Sequence, residues 1–589
     1  MATKQYRIII NGEEINASEY QNKIYENLEY GTGNMIVDAA AGAAKTTTMV
    51  NALRIDNICE GKKVLFIAFN TSIVDDIREK IGKKDNITIK TFHSLGFTML
   101  KTVFPNIEFV VDENKYSKYI TDNFRHYYNK DVLQTERRIT QYRHNLEKLT
   151  DYCRYYTTTN KREYKKISDK YGLVLLDNEI DVVRDILIWG KNNIETIDYT
   201  DMIWLPNMLN LSSKKLLYDF VFIDEAQDTS IAEQNLVERT FKRNTRFVCV
   251  CDTHQQINIW CGATEDAINN FRNINPKNCK SFRLPISYRC PKKVVEFAKQ
   301  FSNNIVARKD AIEGEINTNV SIYKPVDGDM VLSRTTAPLI DLYFKLIRAN
   351  KKCYIKGAEQ EVKNLISIIE STKSTTIDKE CNTKDGLFPS LYKIFFNIIE
   401  NNKRVYDVNE DEALRYNNAL KFYDLIETIR VFSEGIQTID ALKEKIKTVL
   451  SGKEEGVALL TIHKAKGLEA DNIFILCPSI LMESKAQLQW ERDSERNLKY
   501  VAFTRAKKTL NFLEEEAGFN HKLYHSYSIR DMKRYLGVIR KQIEFNEKHE
   551  IKETDIPTTE PKKILNMGEQ PQTTSTKVGF GKMRGFLKK

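Results

Sequence analysis

The chain has 589 residues, of which 29% are charged and 41% are apolar, and its formal net charge is +10. Because one hydrophobic core seldom serves so long a chain, we expect roughly three or four domains at ~150 residues each. The sequence has no run of about 18 apolar residues, and its N-terminus, MATKQYRIIINGEE, lacks the apolar region of a signal peptide. This excludes a membrane-spanning protein and predicts a soluble intracellular one, in a bacterial cytoplasm or a nucleoplasm, without a membrane partner. The positive charge suits a nucleic-acid partner, although many cytosolic enzymes are also mildly basic.

Short apolar runs that end at a polar or small-residue turn predict the β-strands. In the N-terminal half these runs are NMIVDAA, KVLFIAFN, FVFIDEA and RFVCVCD. A second set in the C-terminal half comprises DMVLSRT, KCYIKG, VALLTIHKAKG and NIFILCP. Continuous apolar runs are typical of parallel strands, since both faces of such strands are covered. The sequence therefore predicts a doubly wound α/β protein.

Two polar, helical insertions interrupt these sets. The first, at about 105–195, is dense in Tyr, Arg and Lys, which suits a surface that tracks a nucleic-acid strand, with cations for phosphates and rings for bases. A solvated helical face explains the same composition equally well. The second, at about 365–450, has a helical pattern without informative chemistry. From about Glu550 the chain is polar and rich in Pro and Thr, which predicts a disordered linker.

The ten cysteines form no CxxC pair and no Cys/His group at zinc spacing. Five of them, between Cys249 and Cys290, lie close together in sequence and would also suit a metal cluster. Cys249 and Cys251, however, fall in a predicted apolar strand. We therefore expect reduced thiols in the core or in loops.

The stretch VDAAAGAAKTTTMV resembles a phosphate-binding loop in which glycines are replaced. Lys45 and Thr46 occupy the Lys-Ser/Thr position of the pattern G-x-x-x-x-G-K-[ST], whereas Ala39 and Ala44 stand where that pattern has glycine. An alanine with positive φ at position 44 would cost ~1 kcal/mol or more. The sequence alone thus leaves open whether this loop is functional.

A carboxylate pair downstream favours a functional site. The predicted strand FVFIDEAQDTS ends in Asp224 and Glu225, and a P-loop ATPase holds Mg²⁺ and polarises water with acids at the C-terminal end of a strand. In that arrangement Asp224 would bind the metal and Glu225 would be the general base. The two features together predict an ATP site.

Eight segments, taken in order, resemble the motifs of the UvrD/Rep/PcrA group of superfamily 1A DNA helicases. They are AAAGAAKTT, FIAFNTSIVDDI, TFHSLG, VFIDEAQDTS, CDTHQQINIWCGA, LPISYRC, LLTIHKAKGLEADNIFIL and ERNLKYVAFTRAKKTL. The resemblance implies two RecA-like P-loop NTPase cores with parallel sheets, each carrying a mainly helical insertion. It also implies an ATP-dependent helicase that moves 3′→5′ on single-stranded DNA and unwinds duplex junctions in replication, repair or recombination.

On this resemblance the chain divides into seven segments. They are the first part of core 1 with the Q motif, phosphate loop and motif Ia (1–104), its insertion (105–195), the second part of core 1 with the Asp-Glu motif and motif III (196–283), the first part of core 2 (284–364), a reduced insertion (365–450), the second part of core 2 with motifs V and VI (451–545), and a disordered tail with a basic terminal peptide (546–589).

The resemblance also implies the residues of the ATP site. Those that would bind the nucleotide are Gln21, Gly42, Ala43, Ala44, Lys45, Thr46, Thr47, Tyr288 and Glu469. Those that would act in hydrolysis are Lys45, Asp224, Glu225, Gln255, Arg289 and Arg505. Gln21 would contact adenine and Tyr288 would stack on it, although Ser18-x-x-Gln21 also fits a helix capping box. Thr46 and Asp224 would hold Mg²⁺, and Gln255 would sense the γ-phosphate.

Five residues match family positions that contact single-stranded DNA: Phe69, Thr91, His93, Trp260 and His463. Trp260 is the clearest stacking platform, because every base offers a π-face, and its alternative is an ordinary core aromatic. Asn258 and Cys261 stand where relatives often carry tyrosine and arginine. We therefore expect the stacking and the charge contact of this motif with DNA to differ in part from those in relatives.

Two other functions remain open on the sequence. One is a translocase that strips proteins from single-stranded DNA and barely unwinds duplexes, because the second insertion is short. The other is a DNA-binding scaffold whose ATPase is inactive, because Ala44 replaces glycine. The basic terminal peptide KVGFGKMRGFLKK would dock a protein partner or DNA, or only increase solubility, and a monomer or weak oligomer is expected.

Overall fold

A computed structural model describes residues 4–10, 13–127, 136–171, 173, 179–259, 262–356, 359–406, 408–414, 417–450, 454–478, 489–514 and 529–549. Two compact units divide the chain, Met1–Ala311 and Ile312–Lys589. Each unit contains a six-stranded sheet of its own.

The first unit alternates strands and helices along most of its length. Its strands are β1 (Arg7–Ile10), β2 (Glu13–Asn16), β3 (Asn34–Ala39), β4 (Val64–Ile67), β5 (Ile87–Lys90), β6 (Val110–Val111), β7 (Thr196–Ile197), β8 (Tyr218–Ile223), β9 (Phe241–Cys251), β10 (Cys279–Leu284), β11 (Ile286–Ser287) and β12 (Val306–Ala307). Its helices are α1 (Glu19–Tyr30), α2 (Lys45–Arg54), α3 (Asp56–Cys59), α4 (Thr71–Ile81), α5 (Phe92–Val103), α6 (Lys115–Tyr127), α7 (Glu136–Tyr155), α8 (Lys161–Lys170), α9 (Glu179–Asn192), α10 (Tyr199–Met208), α11 (Ile231–Glu238), α12 (Ala267–Ile274) and α13 (Lys292–Ala298).

The main sheet of this unit has the order β10-β3-β9-β8-β4-β5, and all five pairings are parallel. All residues of β4 are buried, as are five of the six in β3 and in β8, because both faces of these strands are covered. The four N-terminal strands predicted from apolar runs are confirmed. Since the strands are parallel, their C-terminal ends meet at one edge of the sheet, where ligands bind in open α/β folds.

The first insertion consists of helices α6 to α9, as its pattern predicts. Its tyrosines pack inward: Tyr142 and Tyr164 are buried, and the rings of Tyr152 and Tyr171 stack at a centroid distance of 3.7 Å. Arg154 is also buried and bonds to both carboxylate oxygens of Asp198 at 2.8 and 2.7 Å. The described rings therefore stabilise the insertion and do not form an exposed row for bases.

The second unit repeats the α/β plan. Its strands are β13 (Glu315–Val320), β14 (Met330–Ser333), β15 (Cys353–Ile355), β16 (Val457–Thr461), β17 (Ala470–Ile475) and β18 (Ala506–Leu513). Its helices are α14 (Ala337–Arg348), α15 (Glu359–Ser371), α16 (Leu387–Tyr406), α17 (Glu410–Ala413), α18 (Asn417–Phe432), α19 (Ile439–Leu450), α20 (Gln489–Phe503) and α21 (Ile529–His549). The sheet order is β13-β18-β17-β14-β16-β15, again all parallel, which confirms the predicted fold class.

The second insertion is helical, and its hydrophobic cluster also includes Ile340 of α14. Helices α15 to α19 share a hydrophobic cluster that includes Phe388, Tyr392 and Phe395. The C-terminal helix α21 joins this cluster through Leu536 and Ile543, and Asn546 Nδ2 donates to the carbonyl of Cys381 at 2.7 Å. Helix α21, which spans the predicted boundary between core 2 and the tail, thus packs on the insertion.

The remaining composition-based expectations concern membranes and thiols. Within the described ranges, no helix is both long enough and apolar enough to span a bilayer. The nine described cysteines are free thiols, and all but Cys279 are buried. In the same ranges no group of three or more His, Cys, Asp and Glu side chains is arranged to hold a metal ion.

Candidate functional site

The predicted site residues of the first unit follow neighbouring strands of its sheet. Ala40–Ala44, the phosphate loop, follows β3, and Thr253–Gln255, a short 3₁₀ turn, follows β9. Asp224 and Glu225 follow β8. The next two strands, β4 and β5, lead to Phe69 and to Thr91. The residues predicted to act on the nucleotide thus lie on one half of the edge, and Phe69 and Thr91, which are predicted to contact DNA, lie on the other.

The phosphate loop contains two residues in the left-handed region. Gly42 has φ 70°, and Ala44, which directly precedes α2, has φ 57° and ψ 41°. Position 44 therefore does have the positive φ that favours glycine, so its methyl group carries the strain expected from the sequence. Lys45 begins α2, whose first N–H groups are unpaired within the helix and can bind an anion.

Gly42 brings the loop against the segment that contains Tyr288 and Arg289. The N–H of Tyr288 donates to the carbonyl of Gly42 at 2.9 Å. A Cβ on Gly42 would lie 2.6 Å from Cβ of Arg289 and 2.8 Å from Oγ of Ser287, closer than side chains approach each other. Position 42 thus requires glycine because of this close approach as well as because of its φ. The predicted residues Tyr288 and Arg289 lie against the phosphate loop.

Two contacts join the phosphate loop region to the carboxylate pair. Nζ of Lys45 lies 3.1 Å from Oε1 of Glu225, and Oγ1 of Thr46 donates to Oδ2 of Asp224 at 2.6 Å. Burial lowers the pKa of Lys45, but the carboxylates of Glu225, Asp252 and Asp224 raise it further, so the net shift is upward. Burial, together with the charge of Glu225, raises the pKa of Asp224 to about 6. The hydroxyl and carboxylate oxygens of Thr46 and Asp224 are the hard donors that suit Mg²⁺.

A hydrogen-bonded network links Glu225 to Gln255. Glu225 itself has φ 51°, an uncommon value outside glycine. Gln227 donates to Glu225 Oε2 at 2.5 Å and accepts from the N–H of Asp252 at 3.0 Å. Asp252 Oδ2 in turn accepts from Nε2 of Gln255 at 2.6 Å. Gln227 and Asp252 were not predicted, although both are polar residues that follow apolar strands within the motifs VFIDEAQDTS and CDTHQQINIWCGA.

Gln21 forms the capping box that its spacing predicts. Its Oε1 accepts from the N–H of Ser18 at 3.0 Å, and its Nε2 donates to Oγ1 of Thr48 at 3.0 Å. The side chain is buried and connects the start of α1 to α2. The predicted contact with adenine stays a prediction.

Three predicted residues belong to the second unit. Arg505 is buried, and its guanidinium donates to the carbonyl of Val501 at 2.8 Å and to that of Leu468 at 3.3 Å. Glu469 follows Leu468 in sequence and pairs with Lys507 at 2.8 Å. His463 follows β16 and is half-buried. The structure brings Arg505 close to the Glu469 segment.

The predicted DNA residues of the first unit are exposed or near the surface. The Phe69 side chain is exposed, and Thr91 caps α5 by accepting from the N–H of Ser94 at 3.2 Å. The ring of the exposed His93 contacts the ring of Tyr199 edge-on, at 6.0 Å between centroids. The half-exposed Tyr199 was missed, although it begins α10 directly after the cap residue Asp198. Trp260 and Cys261 lie outside the described residues.

Comparisons with known proteins identify the family. Residues 19–276 match the family described as "UvrD/REP helicase N-terminal domain", and residues 329–515 match the "UvrD-like helicase C-terminal domain". ATP-dependent DNA helicase Rep of Buchnera aphidicola is 21% identical over 82% of this chain and 93% of its own length. ATP-dependent DNA helicase PcrA of Staphylococcus aureus is 23% identical over 92% of this chain and 89% of its own. A probable DNA helicase II homologue of Mycoplasma capricolum is 23% identical over 82% of both.

The two matches span most of the chain and contain five of the six strands of each parallel sheet, all but β10 and β13. They confirm the resemblance that the eight motifs indicate, and with it the α/β fold of two RecA-like cores. The chain belongs to the UvrD/Rep family of ATP-dependent DNA helicases.

Proposed function

We propose that this chain hydrolyses ATP at the phosphate loop and uses the energy to move 3′→5′ along single-stranded DNA, opening duplex junctions as it moves. One observation carries the proposal most directly. Lys45 and Thr46 contact Glu225 and Asp224 across 180 and 178 residues of sequence, at 3.1 and 2.6 Å. The ammonium and hydroxyl groups of the loop region thus each contact one carboxylate of the pair, despite the replaced glycine.

Each of these groups has a role that its chemistry supports. The Lys45 ammonium would exchange its contact with Glu225 for the β- and γ-phosphate oxygens, and the N–H groups at the start of α2 would bind the same phosphates. Thr46 and Asp224 would hold Mg²⁺, which supplies positive charge to the phosphates when it is bound. Glu225 would accept a proton from the attacking water, with its carboxylate oriented by Gln227.

The other predicted residues would complete the reaction. Gln255, held by Asp252, would respond to the γ-phosphate, and Arg289 and Arg505 would stabilise charge in the transition state. Tyr288 would stack on adenine near Gln21, with Glu469 close to the nucleotide. On the DNA side, Phe69, His93 and Trp260 would contact bases, Thr91 the backbone, and His463 would link the strand to the nucleotide.

The first test is ATP turnover with and without single-stranded DNA. We expect DNA to stimulate hydrolysis in the wild type. Lys45→Ala should lower turnover at least a hundredfold while leaving DNA affinity nearly unchanged, because the lysine neutralises phosphate charge and is remote from the DNA residues. DNA-stimulated turnover that persists in Lys45→Ala would remove the assignment of the loop. A wild type that binds DNA but never hydrolyses ATP would instead favour the inactive scaffold.

The short second insertion favours a second candidate, a translocase that displaces proteins from single strands and barely separates duplexes. Unwinding of forked DNA, measured beside translocation on bare single strands, distinguishes the two. Strand separation at rates comparable to translocation supports the helicase. Translocation without separation supports the translocase.

The basic terminal peptide lies outside the described residues, and its role rests on sequence alone. It carries Lys577, Lys582, Arg584, Lys588 and Lys589 without an acid. We expect it to dock a replication or repair partner as a tethered peptide, and the chain to act as a monomer or weak oligomer. Truncation after Thr576 should weaken partner pull-down; unchanged pull-down and unchanged DNA affinity would contradict this role.

A further inference from the structure

We propose that a cavity at the base of the first insertion binds an arginine side chain from an extended segment of a protein partner. The cavity has a volume of about 490 Å³, within the range of about 300–1,000 Å³ that is typical of ligand sites. Its walls are the segment after α5, helix α6, the end of α9 and β7. None of the described residues predicted to contact nucleotide or DNA lines it. We call it the insertion cavity.

Two stacked aromatic rings form part of its wall. The rings of Tyr119 in α6 and Trp189 in α9 lie 3.8 Å apart between centroids, with an interplanar angle of 14°. Tyr116 meets Trp189 edge-on at 5.9 Å, and Asn193 Nδ2 donates to the carbonyl of Trp189 at 2.8 Å. The faces of such rings attract cations, and a guanidinium group also stacks on them. This wall therefore suits a flat cation.

The charges of the cavity favour a cation as well. Of its three carboxylates, Asp112 accepts from Nζ of Lys118 at 2.6 Å, whereas Asp122 and Glu195 have no ion pair or side-chain hydrogen bond among the described residues. The second lysine, Lys115, is paired with a buried carboxylate of α10 at 2.6 Å. Two uncompensated carboxylates thus remain, on a chain whose formal net charge is +10. They attract a basic partner and repel the phosphates of DNA.

The strand beside the cavity offers an edge to an extended peptide. β6 pairs with β7 on one side, and the described part of the chain supplies no strand on its other side. Val110 and Val111 of β6 are 58% and 44% exposed, and Asp112 of the cavity wall follows them directly. A free strand edge accepts an extended segment through main-chain hydrogen bonds, while an adjoining pocket selects one of its side chains. The partner that fits is therefore a protein segment with an arginine between apolar residues.

Arginine fits this cavity better than a lysine or a metal ion. Its guanidinium is planar, presents five N–H donors and can pair with carboxylates while it stacks on a ring, whereas an ammonium is a compact, strongly hydrated charge. Within the described ranges, no group of three or more His, Cys, Asp and Glu side chains is arranged to hold a metal ion.

The first test is binding of a fluorescein-labelled peptide, Val-Thr-Arg-Thr-Val, to the full chain, measured by fluorescence anisotropy. The matched peptide carries citrulline in place of arginine, which keeps the shape of the side chain and removes its charge. We expect the arginine peptide to bind at least about tenfold more tightly. Equal affinities, or no binding of the arginine peptide at about 1 mM, would overturn the proposal.

The double variant Asp122→Asn, Glu195→Gln removes both uncompensated charges with little change of shape. Affinity for the arginine peptide should fall about tenfold or more, whereas ATP turnover and single-strand affinity should stay within about twofold of wild type. The matched control, Glu60→Gln with Glu79→Gln, removes two exposed acids of the first unit that do not line the cavity, and should leave peptide affinity unchanged. Equal losses in the two double variants would mean non-specific attraction and would contradict the site.

A spectroscopic measurement locates the bound peptide without using activity. The chain has four tryptophans, so the fluorine NMR signal of Trp189 in the 5-fluorotryptophan-labelled chain can be identified by its loss in Trp189→Phe. We expect the arginine peptide to shift this signal and to leave that of the buried Trp204 in place. An unshifted Trp189 signal at saturation would show that the peptide binds elsewhere, and would reject the insertion cavity as its site.

Two further results would assign the cavity to a different occupant and overturn the proposal. Displacement of the peptide by oligothymidylate would place DNA in the cavity. Tighter peptide binding after truncation behind Thr576 would show that the basic terminal peptide of the chain itself fills the cavity.

Discussion

Two non-glycine residues at the candidate ATP site have backbones in the left-handed region, and they lie on the two sides of the Lys45 contact. Ala44 precedes the lysine with φ 57°, and Glu225 pairs with it at φ 51°. Such conformations cost of order 1 kcal/mol or more each and persist only where the surrounding structure enforces them. For the phosphate loop, the hydrogen bond from the N–H of Tyr288 to the carbonyl of Gly42 and the pairing of β3 with β9 provide that restraint.

Ala44→Gly should therefore be tolerated. Glycine removes the strain at φ 57° but adds backbone freedom to the unfolded chain, so we expect the free energy of unfolding to rise by about 0–1 kcal/mol. ATP turnover should stay within about twofold of wild type, as measured by steady-state hydrolysis. The matched control is Ala43→Gly, at a buried neighbour whose φ is not positive, which should lower the free energy of unfolding by about 1 kcal/mol. Complete loss of turnover in Ala44→Gly would mean that the methyl group has a role of its own.

For single residues, the sequence predicts which side chains lie close together better than it predicts backbone dihedral angles. Lys45, Thr46, Asp224 and Glu225 lie in contact, because the loop after β3 and the end of β8 are at the same edge of the sheet, and their roles in hydrolysis stay predictions. The positive φ of Glu225 was not predicted, since nothing in a glutamate signals a left-handed backbone. Gln227 bridges two motifs that are distant in sequence, a relation that only the sheet order reveals.

At the scale of elements, the apolar runs predicted seven of the eight central strands, all but β18, but only β15 of the four edge strands. The central strands β3, β4 and β8 are largely apolar, as is the C-terminal half of β9, because both faces are buried there. The edge strands β10, with the sequence CKSFRL, and β13, with EINTNV, have at most one buried residue each and were not predicted. An edge strand has little apolar pattern, and its formation depends on contacts with a neighbouring strand that the local sequence does not identify.

Helix α11 offers a pH test at this scale. Its capping box places Glu233 Oε2 2.8 Å from the N–H of Ser230, and burial raises the pKa of Glu233 to about 7. A raised carboxyl pKa means that the folded state keeps a proton that the unfolded state has lost. The associated stabilisation is therefore complete below about pH 4.5 and lost as the pH rises through about 7.

Glu233→Gln should remove this pH dependence while keeping the cap, because glutamine also accepts the Ser230 bond. We expect the free energy of unfolding of the wild type to fall between pH 5 and pH 8 by on the order of 1–3 kcal/mol more than that of the variant. Denaturant titrations at several pH values measure the difference. The two proteins should be nearly equally stable at about pH 4.5, and parallel curves over the whole range would contradict the assignment.

At the scale of the whole molecule, the sequence predicted two α/β cores with helical insertions, and the two parallel sheets confirm them. The position of α21 was not predicted, because an amphipathic pattern tells which face of a helix is buried but not what covers it. The insertion tyrosines were equally ambiguous, since composition does not distinguish a stacked interior ring from one that receives a base. Burial of Tyr142 and Tyr164, and stacking of Tyr152 on Tyr171, resolve that ambiguity for these four rings.

Trp260→Ala tests the coupling between the ATP site and DNA. Stacking is worth roughly 1–3 kcal/mol per base, so single-strand affinity should fall about tenfold or more, while ATP affinity stays nearly unchanged. Unwinding should fall further than hydrolysis, because an ATPase that grips its strand poorly hydrolyses without advancing. Fluorescence anisotropy, hydrolysis and strand separation measure the three effects. Unwinding at the wild-type rate, or loss of the folded state, would mean that Trp260 belongs to the core.

The adjacency of β8 and β4 has a genetic consequence. The N–H of Asp224 donates to the carbonyl of Ile67 at 3.0 Å, and Phe69 follows two residues later. A one-residue insertion within β4 would turn its side chains to the opposite face and displace the acceptor of the Asp224 N–H at the same time. Lesions in these strands should abolish nucleotide and DNA binding together. Alleles that separate the two activities should instead map to the loops beyond the strand ends, where the residues predicted for each ligand lie.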